Sequence, residues 1–185
     1  MPPKTFAIVT AVYNVARYLP DFIASIEAQD FDLSLVEVVA VDDGSSDESL
    51  LVLQEWAARR PELVTVLSQP NAGHGSARNR GVQHVSATWV TYTDPDDMIE
   101  PDYLSKVAQF IERHPDVPMV ATNRIVWNES SGETRKHPLA AMFKRGDQLV
   151  DLNRYPDYFH GSAPAAFLRT QVIRDHDLRY DERVQ

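Results

Sequence analysis

The chain contains no cysteine, which excludes a disulfide framework, thiolate metal sites and cysteine nucleophiles and fits a reducing compartment. Long hydrophobic runs are also missing. No stretch approaches the roughly 18 apolar residues of a membrane span, and Met1-Pro2-Pro3-Lys4 leads straight into a strand-like segment rather than the apolar core of a signal peptide. A cytoplasmic location is expected, with any membrane contact peripheral or supplied by further sequence. Basic residues are scarce: 18 Lys and Arg stand against 27 Asp and Glu, a formal net charge of −9. Broad nucleic-acid binding is thereby excluded, because counterion release needs clustered cations. Clustered carboxylates beside an anionic ligand call instead for a divalent cation between them.

What is present is an ordinary globular mixture. At 185 residues and 43% hydrophobic content, the chain fits a single domain with a sizeable core. It shows no internal repeat, low-complexity tract or linker. Strand and helix patterns alternate. Residues 6–12 read as a buried strand, and 15–28 as a helix with Leu19, Phe22, Ile23 and Ile26 on one face. A strand at 36–41 precedes a helix over 48–60 with Leu50, Leu53, Trp56 and Ala57 on one side. A third strand at 64–67, a glycine-rich loop, a helix over 76–85 and a strand at 88–92 complete a βαβαβαβ series. A helix over 102–113 follows, then one or two strands within 119–127, a polar turn at 128–132, and a loop-rich stretch over 138–158. This alternation predicts an α/β fold: a mostly parallel, Rossmann-like sheet flanked by helices, with ligands gathered at the carboxyl ends of its strands.

Four loop clusters fall at those ends: Ala11-Val12-Tyr13-Asn14, Asp42-Asp43-Gly44-Ser45, Asn71-Ala72-Gly73-His74-Gly75 and Asp94-Pro95-Asp96-Asp97. Each alone reads equally as turn chemistry; their convergence in a parallel sheet carries the weight. Three aspartates within four residues repel one another unless neutralised, and a hard cation such as Mn2+ or Mg2+, sharing its shell with a diphosphate, would do so. The competing reading is an Asx-turn before the next helix. Small residues at 73–77 let the backbone approach a ligand, and Arg78 can pair with phosphate or meet a base edge, or else form a surface ion pair. The dinucleotide G-x-G-x-x-G spacing and the Walker ending are both absent. Tyr13 can stack on a nucleobase or pack the core. Asp43 can accept from a pyrimidine imide or cap a turn, and one of Asp42 and Asp43 is expected to be structural. His74 is a weaker ligand candidate, and His137, His160 and His176 have no partners at metal-ligand spacing.

These motifs, in this order, resemble the inverting glycosyltransferases of family two, which have the GT-A fold. The likeness runs along essentially the whole chain, so 1–185 is expected to be one GT-A nucleotide-sugar-binding domain. Residues 8–14 look like that family's first strand and base-binding turn, 41–47 like its second loop, and 71–81 like its glycine-rich loop with Ala-Arg-Asn. Asp94-Pro95-Asp96-Asp97 occupies the D-x-D position, with Pro95 where Ser is more usual. The resemblance implies that the Ala11 backbone and Tyr13 frame the base, that Asp43 hydrogen-bonds it, and that Arg78 holds the nucleotide from the other side. Asn71, Gly75 and Asp94 complete the nucleotide set. Asp96, then Asp94, are the implied metal ligands, with Asp97 a ligand or a neighbour of one. The metal would bridge both phosphates and stabilise the departing nucleoside diphosphate.

The family's general base is usually the Asp of a Glu-Asp pair that follows a strand, a helix and a segment like 178–184. Residues 165–169 and 170–176 look like that strand and helix, so the base is expected just beyond Gln185, in a longer enzyme, with Asp181 a less favoured substitute. The implied activity is transfer of a sugar from a nucleotide-diphosphate donor, a UDP-sugar by resemblance, to an acceptor hydroxyl with inversion. The acceptor would be a bacterial-type surface polysaccharide, glycolipid or other polymer, and sugar contacts are expected within 122–162. Two alternatives stand beside it: nucleotidyl transfer, and a fragment that binds nucleotide-sugar without turnover.

Overall fold

The computed structural model describes residues 3–144, 146–155 and 165–183. Its strands are β1 (Phe6–Val12), β2 (Val36–Asp42), β3 (Val64–Ser68), β4 (Trp89–Tyr92), β5 (Met119–Ala121), β6 (Ile125–Trp127), β7 (Thr134–Lys136) and β8 (Ala166–Arg169). The helices are α1 (Leu19–Glu27), α2 (Ser49–Arg59), α3 (His74–Gln83), α4 (Tyr103–Arg113) and α5 (Thr170–Asp175), with short 3-10 turns at Leu33–Leu35 and Pro138–Phe143. Six strands form one sheet in the order β3-β2-β1-β4-β8-β5. The β1–β2, β1–β4 and β2–β3 pairs are parallel. β8 enters antiparallel between β4 and β5. A separate hairpin pairs β6 with β7. The predicted mostly parallel α/β sheet is therefore present, with its one reversal at β8.

Period-two alternation along the central strand divides the core in two. Phe6, Ile8 and Val12 face one way, toward Leu19, Phe22 and Ile26 of α1, Leu53 and Trp56 of α2 and Leu104 and Val107 of α4. Ala7 and Val9 face the other way, toward Ala77 of α3 and Ile173 of α5. Helix α3 comes unusually close to the sheet because Gly81 has no side chain: a Cβ there would lie 2.5 Å from Val9 Cγ1. Among the described residues, no helix is long and apolar enough to cross a membrane.

The starts of two helices differ from the expectation by two residues or more. Helix α1 begins at Leu19 rather than residue 15, because a helix starting at 15 would carry Pro20 past its first turn, where a donor to the residue 16 carbonyl is required. The Val15 and Ala16 amides donate instead to Ser49 Oγ and Asp47 Oδ2 of the next loop. Pro20, in the first turn of α1, suits the place where an amide has no helical partner anyway. Helix α3 starts two residues early, at His74, where Gly73 at φ 89° turns the chain into it.

Candidate donor site

Because β1 to β4 run parallel, the loops after Val12, Asp42, Ser68 and Tyr92 leave the same end of the sheet, and side chains join them there. Asn14 adopts φ 54°, a left-handed conformation that Asn tolerates better than most residues. Its Oδ1 accepts from the Ser46 amide at 2.8 Å and the Asp47 amide at 3.3 Å, while its own amide donates to Ser45 Oγ. Asp42 is buried and structural, accepting from the Ser45 amide and Ser68 Oγ.

Asp43 is also buried, but it faces a cleft of about 420 Å³ lined with Ala11, Val12, Tyr13, Asn71, Gly73 and His74. Its Oδ1 accepts from Gln69 Nε2 at 2.8 Å and the Ala72 amide at 3.0 Å, and its Oδ2 from the Gly73 amide at 2.8 Å. An ionised carboxylate offers about four lone-pair sites, so Oδ2 keeps one acceptor position for a ligand donor. The turn is tight: Gly44 sits at φ 75°, and a Cβ there would approach the Asn71 amide nitrogen to 2.8 Å. Tyr13, which also lines the cleft, is half exposed.

A second group stands beside the first. Arg78 Nη2 lies 2.5 Å from Asp94 Oδ1, a charge-assisted contact with the Arg78 side chain only 12% exposed. The Asp97 amide closes a turn on the Asp94 carbonyl at 3.0 Å, and Asp96 projects from that turn, exposed. Burial raises the Asp97 carboxyl above its ordinary range; Arg124, 3.5 Å away, opposes the shift, and Asp94 and Asp96 add to it. Among the described residues, no three His, Asp or Glu side chains converge as a complete metal set. Asp94 and Asp96 supply hard oxygen donors in a turn already crowded with negative charge. That chemistry fits a divalent cation whose remaining positions come from diphosphate and water.

Of the residues singled out in the sequence, the structure brings Ala11, Tyr13, Asp43 and Asn71 to one cleft, and pairs Arg78 with Asp94 next to Asp96. Gly75 lies elsewhere. It packs beneath residues 180–181, where a Cβ would stand 3.3 Å from Tyr180 Cβ and the Asp181 carbonyl oxygen. Asp181 is bound by the Arg183 amide and guanidinium, which hold its carboxyl below the usual range, an arrangement ill suited to a proton acceptor. Asn79 had no assigned role, yet its Oδ1 accepts from the Tyr180 amide at 2.8 Å while its Nδ2 donates to the Tyr180 carbonyl and Glu182 Oε1. The available signal was its place one helical turn after Gly75, on the face of α3 that meets residues 180–181 rather than the face that Ala77 and Gly81 lay on the sheet.

A six-stranded sheet between two helical layers, with a reversed β8 and a carboxylate turn at the strand ends, is the architecture of a GT-A domain. The chain belongs to the family described as Glycosyl transferase family 2, which matches residues 7–177. It is 25% identical over 177 residues to the minor teichoic acid biosynthesis protein GgaB of Bacillus subtilis, a match covering 96% of this chain and 19% of GgaB. It is 26% identical over 181 residues to the poly(ribitol-phosphate) beta-N-acetylglucosaminyltransferase TarS of Staphylococcus aureus, covering 97% of this chain and 30% of TarS. The chain thus spans less than a third of either relative. The crystal structure of TarS 1–349 superposes with a TM-score of 0.83 at 27% identity, over 98% of this chain and 51% of that one. The same protein in complex with UDP-GlcNAc gives 0.82, also at 27% identity, over 96% of this chain and 48% of that one.

Proposed function

We propose that this chain is the donor-binding part of a glycosyltransferase that moves a sugar from a UDP-sugar to an acceptor hydroxyl, with inversion and with Mn2+ or Mg2+. The observation that carries the reading is Asp43: a buried carboxylate, fixed by three donors from its own loops, with one acceptor position left over the cleft that Tyr13 walls. A pyrimidine imide N–H fits that position, and the tyrosine ring offers a face for the base. TarS, solved with UDP-GlcNAc, supports the same class of donor.

Asp94 and Asp96 would hold the cation, which supplies Lewis-acid stabilisation of the leaving diphosphate when bound. Arg78 orients Asp94 and adds positive charge on the phosphate side. The acceptor is proposed to be a cell-surface polymer, as the names of GgaB and TarS suggest, and the cytoplasmic location belongs to the same proposal.

Calorimetric titration of UDP tests the reading, with and without Mn2+, in the wild-type chain and in the Asp94→Ala/Asp96→Ala double variant. Manganese-dependent binding that the double variant loses is the expected result. A folded wild-type chain that binds no UDP in the presence of metal would overturn it.

A further inference from the structure

Tyr180 is far from the four strand-end loops in sequence and has no place in the donor cleft, yet it is fixed with unusual completeness. Asn79 holds both the amide and the carbonyl of residue 180, at 2.8 and 3.0 Å, in the manner of a paired strand. The missing side chain at Gly75 lets this segment approach α3. The ring meets Tyr92, the last residue of β4, edge to face at 5.0 Å between centroids and 83° between planes. Over its face, 5.1 Å from the centroid, lies the guanidinium carbon of Arg78, the same group that grips Asp94. Burial pushes the hydroxyl pKa up to about 12, with Arg78 opposing and Asp94 adding, so at neutral pH the ring is an uncharged phenol.

An arginine has several rotatable bonds and, on a helix beside a cleft, many ways to miss its target. A tyrosine face beneath it removes most of them. The chain thus forms a closed circuit from the end of β4 through Tyr92, Tyr180 and Arg78 back to Asp94, two residues past the starting point. We propose that Tyr180 is a positioning residue of the donor site, its ring holding the Arg78 guanidinium in the plane from which it orients Asp94 toward cation and diphosphate. Segment 178–183 is thereby coupled to donor occupancy, although it touches no part of the nucleotide cleft. This inference rests on the proposed donor site.

The test is a double-mutant cycle read by UDP calorimetry with Mn2+ present and absent. Tyr180→Leu is expected to weaken manganese-dependent UDP binding roughly tenfold, the scale of a partly desolvated cation–π contact. Tyr180→Phe, which keeps the ring, should stay within about twofold of wild type. In an Arg78→Met background, Tyr180→Leu should change nothing further, an outcome that general loosening of the fold would not give. Circular dichroism melts establish that each variant is folded, and Tyr180→Met replaces Tyr180→Leu if the latter is not. Additive losses in the Arg78→Met background, or unchanged affinity in a folded Tyr180→Leu or Tyr180→Met protein, would overturn the positioning role while leaving the donor site standing. Absence of UDP binding in the wild type would overturn both.

Discussion

The donor-cleft end of β1 to β4 and the stretch over 122–155 are built on opposite plans. At the cleft, carboxylates and amides of one loop satisfy the backbone of the next: Asn14 spans to residues 45–47, and Asp43 to residues 69–73. Over 122–155, none of the residues whose side chains are described is buried. That stretch is tied to the rest by the exposed ion pairs Arg17–Glu129 and Arg113–Asp147, by the partly buried pair Arg124–Asp97, and by hydrogen bonds at Thr122. Charge divides the same way. Residues 1–121 carry 18 acidic against 8 basic side chains, whereas 122–155 carry 4 acidic against 6 basic ones. The difference teaches where precision is invested: a fixed mould at the proposed nucleotide site, and a lightly anchored stretch, less acidic in sequence, that can change without disturbing the mould.

The sharpest way to break this contrast is to remove Asp43. Asp43→Ala leaves the Ala72 and Gly73 amides and the Gln69 amide group without their acceptor, and is expected to cost roughly 2–4 kcal/mol in stability and to abolish UDP binding. Urea unfolding and calorimetry would show whether both effects appear together. A smaller effect comes from Gly81→Ala, where the new methyl must displace Val9 and Val41. About 1–3 kcal/mol of destabilisation is expected from overpacking, seen as a lower urea midpoint at unchanged slope. The smallest effect is on the other side of the comparison. Glu129→Ala removes a pair whose side chains are 64% and 58% exposed, so solvent and salt screen it. Its unfolding midpoint and UDP affinity should both match wild type. A Glu129→Ala loss as large as that of Gly81→Ala would erase the contrast.

Much of the mould was legible in the sequence because buried parallel strands are short apolar runs, and the residues that end them are turn formers. The runs ending at Val12, Asp42 and Tyr92 needed no tertiary knowledge. The start of α1 was obscured by an amphipathic pattern that extends back to Val15, although Pro20, which fits only the first helical turn, marks it in the sequence. Strand β7 escaped notice for a different reason: Thr134, Arg135 and Lys136 are all exposed, so no alternation marks them and only pairing with β6 makes them a strand. The close approach of residues 180–181 to Gly75, about a hundred positions away in the chain, is not revealed by spacing alone. Asn79 was missed through the same long reach.

The place of β8 in the sheet also sets an order of assembly. The β1–β2 and β2–β3 pairs form across single βα units, but β4 is non-local on both sides: Trp89 pairs back with Phe6 and forward with Arg169, each about eighty residues away. Such non-local pairing waits for closure of a long loop and comes late in folding. Until then β4, whose four residues are all buried in the finished sheet, carries an unpaired edge of the kind that recruits strands from other molecules. A nascent chain that has not yet produced Ala166 is therefore at its most aggregation-prone just when its nucleotide loops have taken shape.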